Sequence, residues 1–272
     1  MPLTQMQLAQ RVADAYAALP LVRAVAVGGS TALGAAEPGS DIDTYIYVER
    51  AIPVADRIAI AEPYLAHEFD LNFWETTDNY VNAETGYALD ILYRWVTWAE
   101  AEIDRIFVTP VGWLGYTTAI WHNFRTAIPL FDRDGWFAGI QERARQPYPE
   151  ALRTAIIEKN AWVMRRTLFS YTQQIEKAVR RGDLISLNHR IAALLASYFD
   201  ILFALNYVPH PGEKRQLTYA ESLCPLRPDD MRADIEQLLR LSGTGDGETI
   251  SAVHRLQDRL STLLMAHGFP AV

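Results

Sequence analysis

Residues 24–48, AVAVGGSTALGAAEPGSDIDTYIYV, constrain this chain more than any other stretch. An apolar run breaks at Gly28-Gly29-Ser30. A short segment leads to Gly39-Ser40, then to Asp41-Ile42-Asp43 and a second apolar, aromatic run. The pattern predicts strand, glycine-rich turn, short helix, loop and strand. Successive side chains of a strand point to opposite faces, so Asp41 and Asp43 project together while Ile42 enters the core. Two adjacent carboxylates repel each other unless a cation lies between them. Oxygen-only ligation suits Mg²⁺, which typically binds one or two carboxylates together with substrate phosphates. Gly28 and Gly29 let the backbone approach a ligand closely, and the free N–H groups of a helix opening at Ser30 favour an anion. Together these parts would hold a metal–triphosphate.

Gly-Ser, about a dozen residues, then Asp-x-Asp between strands resembles the nucleotidyltransferase superfamily, which includes DNA polymerase beta and the aminoglycoside and lincosamide nucleotidyltransferases. Neither a Walker A loop ending in Gly-Lys-Ser/Thr nor a G-x-G-x-x-G fingerprint follows the strand. The resemblance covers residues 22–94. Beyond them it extends only in type, to the helical domain that follows the catalytic domain in antibiotic-modifying enzymes and in uncharacterised DUF4037-like proteins.

The resemblance implies a third carboxylate on a later strand. Asp70 in FDLNF and Asp90 in LDILY both alternate with apolar residues. Asp90 is preferred, because TGYALDILYR resembles the third-acid strand of small-molecule nucleotidyltransferases. Asp41, Asp43 and Asp90 are therefore expected to be the catalytic, metal-ligating acids, and the resemblance implies two Mg²⁺ ions. Gly28, Gly29 and Ser30 would cradle the nucleotide, ATP or another NTP. In LNYVPHPGEKRQLTY, Lys214 resembles a lysine that follows a Pro-Gly turn in the helical domain of lincosamide-type enzymes. It would neutralise a β- or γ-phosphate from the far wall of a cleft between the two halves. Tyr219 is an aromatic at helical spacing, and His189 reads as structural. Glu158 reads as a solvated helix carboxylate. The tryptophans at 74, 95, 98, 113, 121, 136 and 162 are read mainly as packing, one or two of them free to stack on a base or acceptor ring.

The alternation of strand and helix over the first hundred residues, followed by helical spacing, predicts an α+β fold. A minimal α/β domain with a mixed sheet occupies residues 1–146 and a helical bundle occupies 147–272, with Pro147 and Pro149 as the hinge. Helices are expected at about 4–18, 54–65, 98–106, 151–181, 186–206, 229–241 and 248–267, with a further start at Glu213-Lys214-Arg215. Strands are expected at 67–74 and 87–95, with a polar, turn-rich stretch at 75–86. The 272-residue chain has a formal net charge of -8 and is 50% hydrophobic. Such a balance argues against a polynucleotide substrate and suits a small, cationic one. The one cysteine, Cys224, excludes an intramolecular disulfide, and no run has the length of a membrane span, so a soluble, cytoplasmic protein is expected. The histidines lack zinc-ligand spacing.

The expected activity is Mg²⁺-dependent transfer of a nucleoside monophosphate, AMP from ATP, to a hydroxyl of a small, antibiotic-like molecule. The alternatives are a protein adenylyltransferase of toxin–antitoxin type, which a large helical half disfavours, and a non-catalytic nucleotide sensor, which a complete set of acids disfavours.

Overall fold

The computed structural model describes residues 3–34, 39–64, 66–73 and 75–272. Two compact units divide the chain, one of residues 1–104 with 123–146 and the other of 105–122 with 147–272. Leu65 and Trp74, the expected ends of a helix and a strand, lie outside the described residues, as does 35–38 of the loop before Asp41.

The first unit opens with α1 (Gln5–Ala17), started by a reciprocal cap in which the Gln7 amide donates to Thr4 Oγ1 and the Thr4 amide to Gln7 Oε1. Its Leu8, Val12 and Tyr16 share a buried face. Then follow β1 (Val22–Val27), the single turn α2 (Gly29–Ala32), β2 (Ile42–Val48), α3 (Val54–Ala61), β3 (Ala66–Leu71), β4 (Thr77–Val81), β5 (Ala88–Trp95) and α4 (Val96–Phe107). After α5 (Ala119–Thr126) come β6 (Ile128–Asp132) and α6 (Trp136–Ala144). The strands form one mixed sheet in the order β3-β4-β5-β2-β1-β6. β2 and β5 are parallel and the other neighbouring pairs antiparallel.

Alternation along β2 divides the core. Ile42, Ile46 and Val48 join Leu8, Val12 and Tyr16 on one face. Tyr47, on the other, packs its ring against Phe124, Trp136 and Phe137. The α1 side also holds a buried polar network. Arg57 donates to Asp78 Oδ1 (2.7 Å) and to Asp70 Oδ1 (2.9 Å), and the Tyr93 hydroxyl donates to Asp78 Oδ2 (2.7 Å). The Tyr16 hydroxyl bonds to those of Tyr80 and Tyr93. Burial holds the Tyr16 and Tyr93 phenols protonated, far above their usual range. An unpaired buried ion would be costly, so this network fixes β4 firmly against β5.

The second unit is helical. α7 (Glu150–Ala161) runs into a π-turn, Trp162–Arg166, and is followed by α8 (Tyr171–Arg181), α9 (Leu184–Leu205), α10 (Gln216–Leu223), α11 (Met231–Leu241) and α12 (Gly247–Ala266). Among the described residues no helix is long and apolar enough to cross a membrane. Cys224 is buried, which pushes its thiol up to about 12.

Four expectations are corrected. The single helix expected at 151–181 breaks at Thr167, whose backbone is extended, and restarts where Ser170 Oγ accepts from the Gln173 amide. The expected helix start at Glu213 falls instead at Gln216, because Arg215 adopts a left-handed conformation (φ 56°). The turn-rich stretch at 75–86 contains β4, and β6 interrupts the helical spacing expected after the first hundred residues.

Asp200, 1% exposed, ties the segment before α5 to the bundle. It accepts from the Thr117 amide (3.0 Å), the Thr117 hydroxyl (2.6 Å) and Asn160 Nδ2 (3.3 Å). Asp200→Ala strands these donors away from water and should cost about 3 kcal/mol in chemical denaturation. A change below about 1 kcal/mol would show that the network is not holding the segment.

Candidate active site

The turn between β1 and α2 is built for close approach. Gly29 has a left-handed backbone (φ 56°), and a Cβ there would lie 1.8 Å from Asp43 Oδ2. A Cβ on Gly28 would lie 2.3 Å from Tyr45 Cε2. Both glycines are therefore required sterically, one by an aspartate and one by a buried ring. The Gly28 amide donates to the Asp43 carbonyl (2.9 Å), so the turn is anchored to the strand that carries the acids. Ser30 is half-buried in α2, for which Gly28 is the cap residue.

Asp43 stands beside Asp90 in the parallel register of β2 and β5. One carboxylate oxygen from each of Asp41, Asp43 and Asp90 lies within 4.8 Å of the others, and all three residues are half-buried. Burial, then the charges of Asp43 and Asp41, push the Asp90 carboxyl up to about 6. Crowded, partly desolvated carboxylates of this kind fit a divalent cation with oxygen ligands.

Residues outside the sequence reading complete the surroundings. Asn79 on β4 stands opposite Asp90 in the antiparallel register. With its amide nitrogen on the acidic side, Asn79 donates to Asp90 Oδ1 at 2.9 Å. Glu75 accepts two bonds from buried Arg94, at 2.9 and 3.0 Å. The Arg94 guanidinium lies 4.1 Å from the centre of the Tyr45 ring, the same ring that abuts Gly28. Arg94 thus braces the glycine turn from behind. The alternation of DILYR does place Arg94 on the face of Asp90, a signal the sequence offered. Asn79 and Glu75 carried no such signal, because their stretch reads as a turn.

Asp70 lies elsewhere. It sits on β3, two strands from β5, and is paired to Arg57. Lys214 and Tyr219 belong to the second unit, Lys214 exposed in the turn ahead of α10 and Tyr219 half-buried within it. His189 and Glu158 are exposed on α9 and α7.

The elevated Asp90 carboxyl makes a signed prediction. Its native form holds a proton up to about pH 6, whereas an unfolded aspartate releases it near 3.8. Its contribution to stability is therefore lost as pH rises from about 4 through 6. Asp90→Asn should raise the melting temperature of the metal-free protein at pH 7.5, and the gain should vanish near pH 4. Equal gains at both pH values would show that the Asp90 charge is not the cause.

Residues 6–82 match the family described as nucleotidyltransferase domain, and residues 114–215 match a domain of unknown function, DUF4037. No curated protein matches the chain significantly. Among solved structures the chain is similar to a nucleotidyltransferase-like protein from Exiguobacterium sibiricum 255-15. That likeness has 11% identity and a TM-score of 0.46, covers 96% of this chain and 80% of the other, and is too distant to bear on the function. The part that matches the nucleotidyltransferase domain, residues 6–82, is the part that carries Gly28, Gly29, Ser30, Asp41 and Asp43 on the β1-turn-β2 frame.

Proposed function

We propose that the protein transfers a nucleoside monophosphate, AMP from ATP, to a hydroxyl of a small acceptor in a Mg²⁺-dependent reaction. The observation that carries this reading is the convergence of Asp41, Asp43 and Asp90 beside a glycine turn, on a nucleotidyltransferase domain. The net charge of -8 favours a small, cationic acceptor over a polynucleotide.

Asp41, Asp43 and Asp90 would hold the divalent ion. Such an ion supplies charge to the phosphates and makes the acceptor hydroxyl more acidic. Gly28 and Gly29 leave room for the triphosphate against the backbone, and Ser30 offers it a hydroxyl and an amide. The acceptor oxygen attacks the α-phosphorus in line, forming a P–O bond as the bond to pyrophosphate breaks. Asp90 would help remove the hydroxyl proton, as general base or through the ion it ligates. Lys214 is proposed to neutralise a β- or γ-phosphate.

Pyrophosphate release, measured with each NTP across a panel of hydroxyl compounds, tests the activity and identifies the acceptor. Asp41→Asn and Asp43→Asn should each abolish turnover and Mg²⁺-dependent nucleotide binding, as read by calorimetry. Parent-like binding in both would sink the assignment of the acids. Lys214→Ala should weaken nucleotide binding by about 1.5–3 kcal/mol, the worth of a charge-assisted hydrogen bond, with unchanged melting. Unchanged affinity would remove Lys214 from the site and leave the acids in place.

A further inference from the structure

A carboxylate that ligates a cation works best when its rotation is stopped and one oxygen is committed elsewhere. Among the described residues Asn79 is placed to do this for Asp90. The acceptors around its amide require the nitrogen on the acidic side, and so turned it lies 2.9 Å from Asp90 Oδ1 and 3.3 Å from the Asp78 carbonyl, so the same group is held to its own strand. The strand beneath it is fixed in turn. Asp78, the preceding residue, points to the opposite face, where Arg57 and Tyr93 bind its two oxygens and the Asp70 amide adds a third bond. β4 therefore carries one residue locked into the buried network and, next to it, one aimed at the acids.

The chemistry of the side chain also matters. A lysine or arginine at this position would neutralise Asp90 and compete with a cation. Another carboxylate would add to the repulsion. A neutral amide donates to the ionised oxygen without entering the charge balance.

We propose that Asn79 is a positioning residue of the cation site, holding Asp90 through Oδ1 so that its other oxygen is presented to a divalent ion. This rests on the reading of Asp41, Asp43 and Asp90 as the ligands.

The test uses Mn²⁺ alone, titrated into the full-length protein without nucleotide and followed by electron paramagnetic resonance. Melting temperature is measured in parallel. Asn79→Ala should bind Mn²⁺ about 10–100-fold more weakly than the parent, the usual effect of losing a partner behind a ligand. Asn79→Ser, which keeps a short donor, should recover part of that loss, and both variants should melt close to the parent. Parent-like affinity in Asn79→Ala, with affinity lost in Asp41→Asn, would overturn the role of Asn79 and leave the cation site standing. Losses that only track a fall in melting temperature in both variants would also overturn it, since they would mark a structural role. If Asp41→Asn, Asp43→Asn and Asp90→Asn all bound Mn²⁺ as the parent does, the ligand assignment itself would fall, whatever Asn79 did.

Discussion

The parallel pairing of β2 with β5 sets Asp43 directly beside Asp90, and the proposed chemistry depends on that register. A slip of one residue would turn Asp90 to the opposite face and bring an apolar side chain against Asp43. Hydrophobic alternation guards the register. Ile42, Ile46, Leu89 and Ile91 are all buried, so the acids stay on one face because their neighbours cannot leave the other. The fold thus holds carboxylates together against their repulsion, and burial together with that repulsion pushes the Asp90 carboxyl up to about 6.

The two faces of the sheet divide the work. Toward α1, Arg57 and Asp78 join the hydroxyls of Tyr16, Tyr80 and Tyr93 in a buried network that keeps β4 on β5. Toward the acids, Asn79, Arg94 and Glu75 shape the surroundings without adding a net positive charge to the cluster, since Arg94 is paired with Glu75. Tyr45 links these residues to the glycine turn, with Arg94 over its ring and Gly28 against its edge. Rigidity on one face serves placement on the other.

Much of this was legible in the sequence, for a local reason. Gly28, Gly29, Asp41 and Asp43 lie within one strand–turn–strand unit, where spacing alone sets which side chains share a face. Asp90 could be singled out by alternation and by resemblance. Asn79 could not, since its importance comes from pairing across the β4–β5 hairpin, and Asp and Asn in TDNYV weaken the strand signal that would have revealed it. β6 was hidden by Pro129, which this sheet accepts because β6 is an edge strand with a register shift at that point. The break after Arg166 was hidden because no glycine or proline announces it; the local cap at Ser170 ends the continuity instead.

The central claim is that Asp41, Asp43 and Asp90 share a divalent cation in a nucleotidyl-transfer site. Anomalous diffraction from crystals grown with Mn²⁺ and a non-hydrolysable ATP analogue tests it most directly. The account predicts manganese bound by all three carboxylates, with the triphosphate against the Gly28-Gly29-Ser30 turn. Manganese and nucleotide bound elsewhere, with the three aspartates unligated, would contradict it.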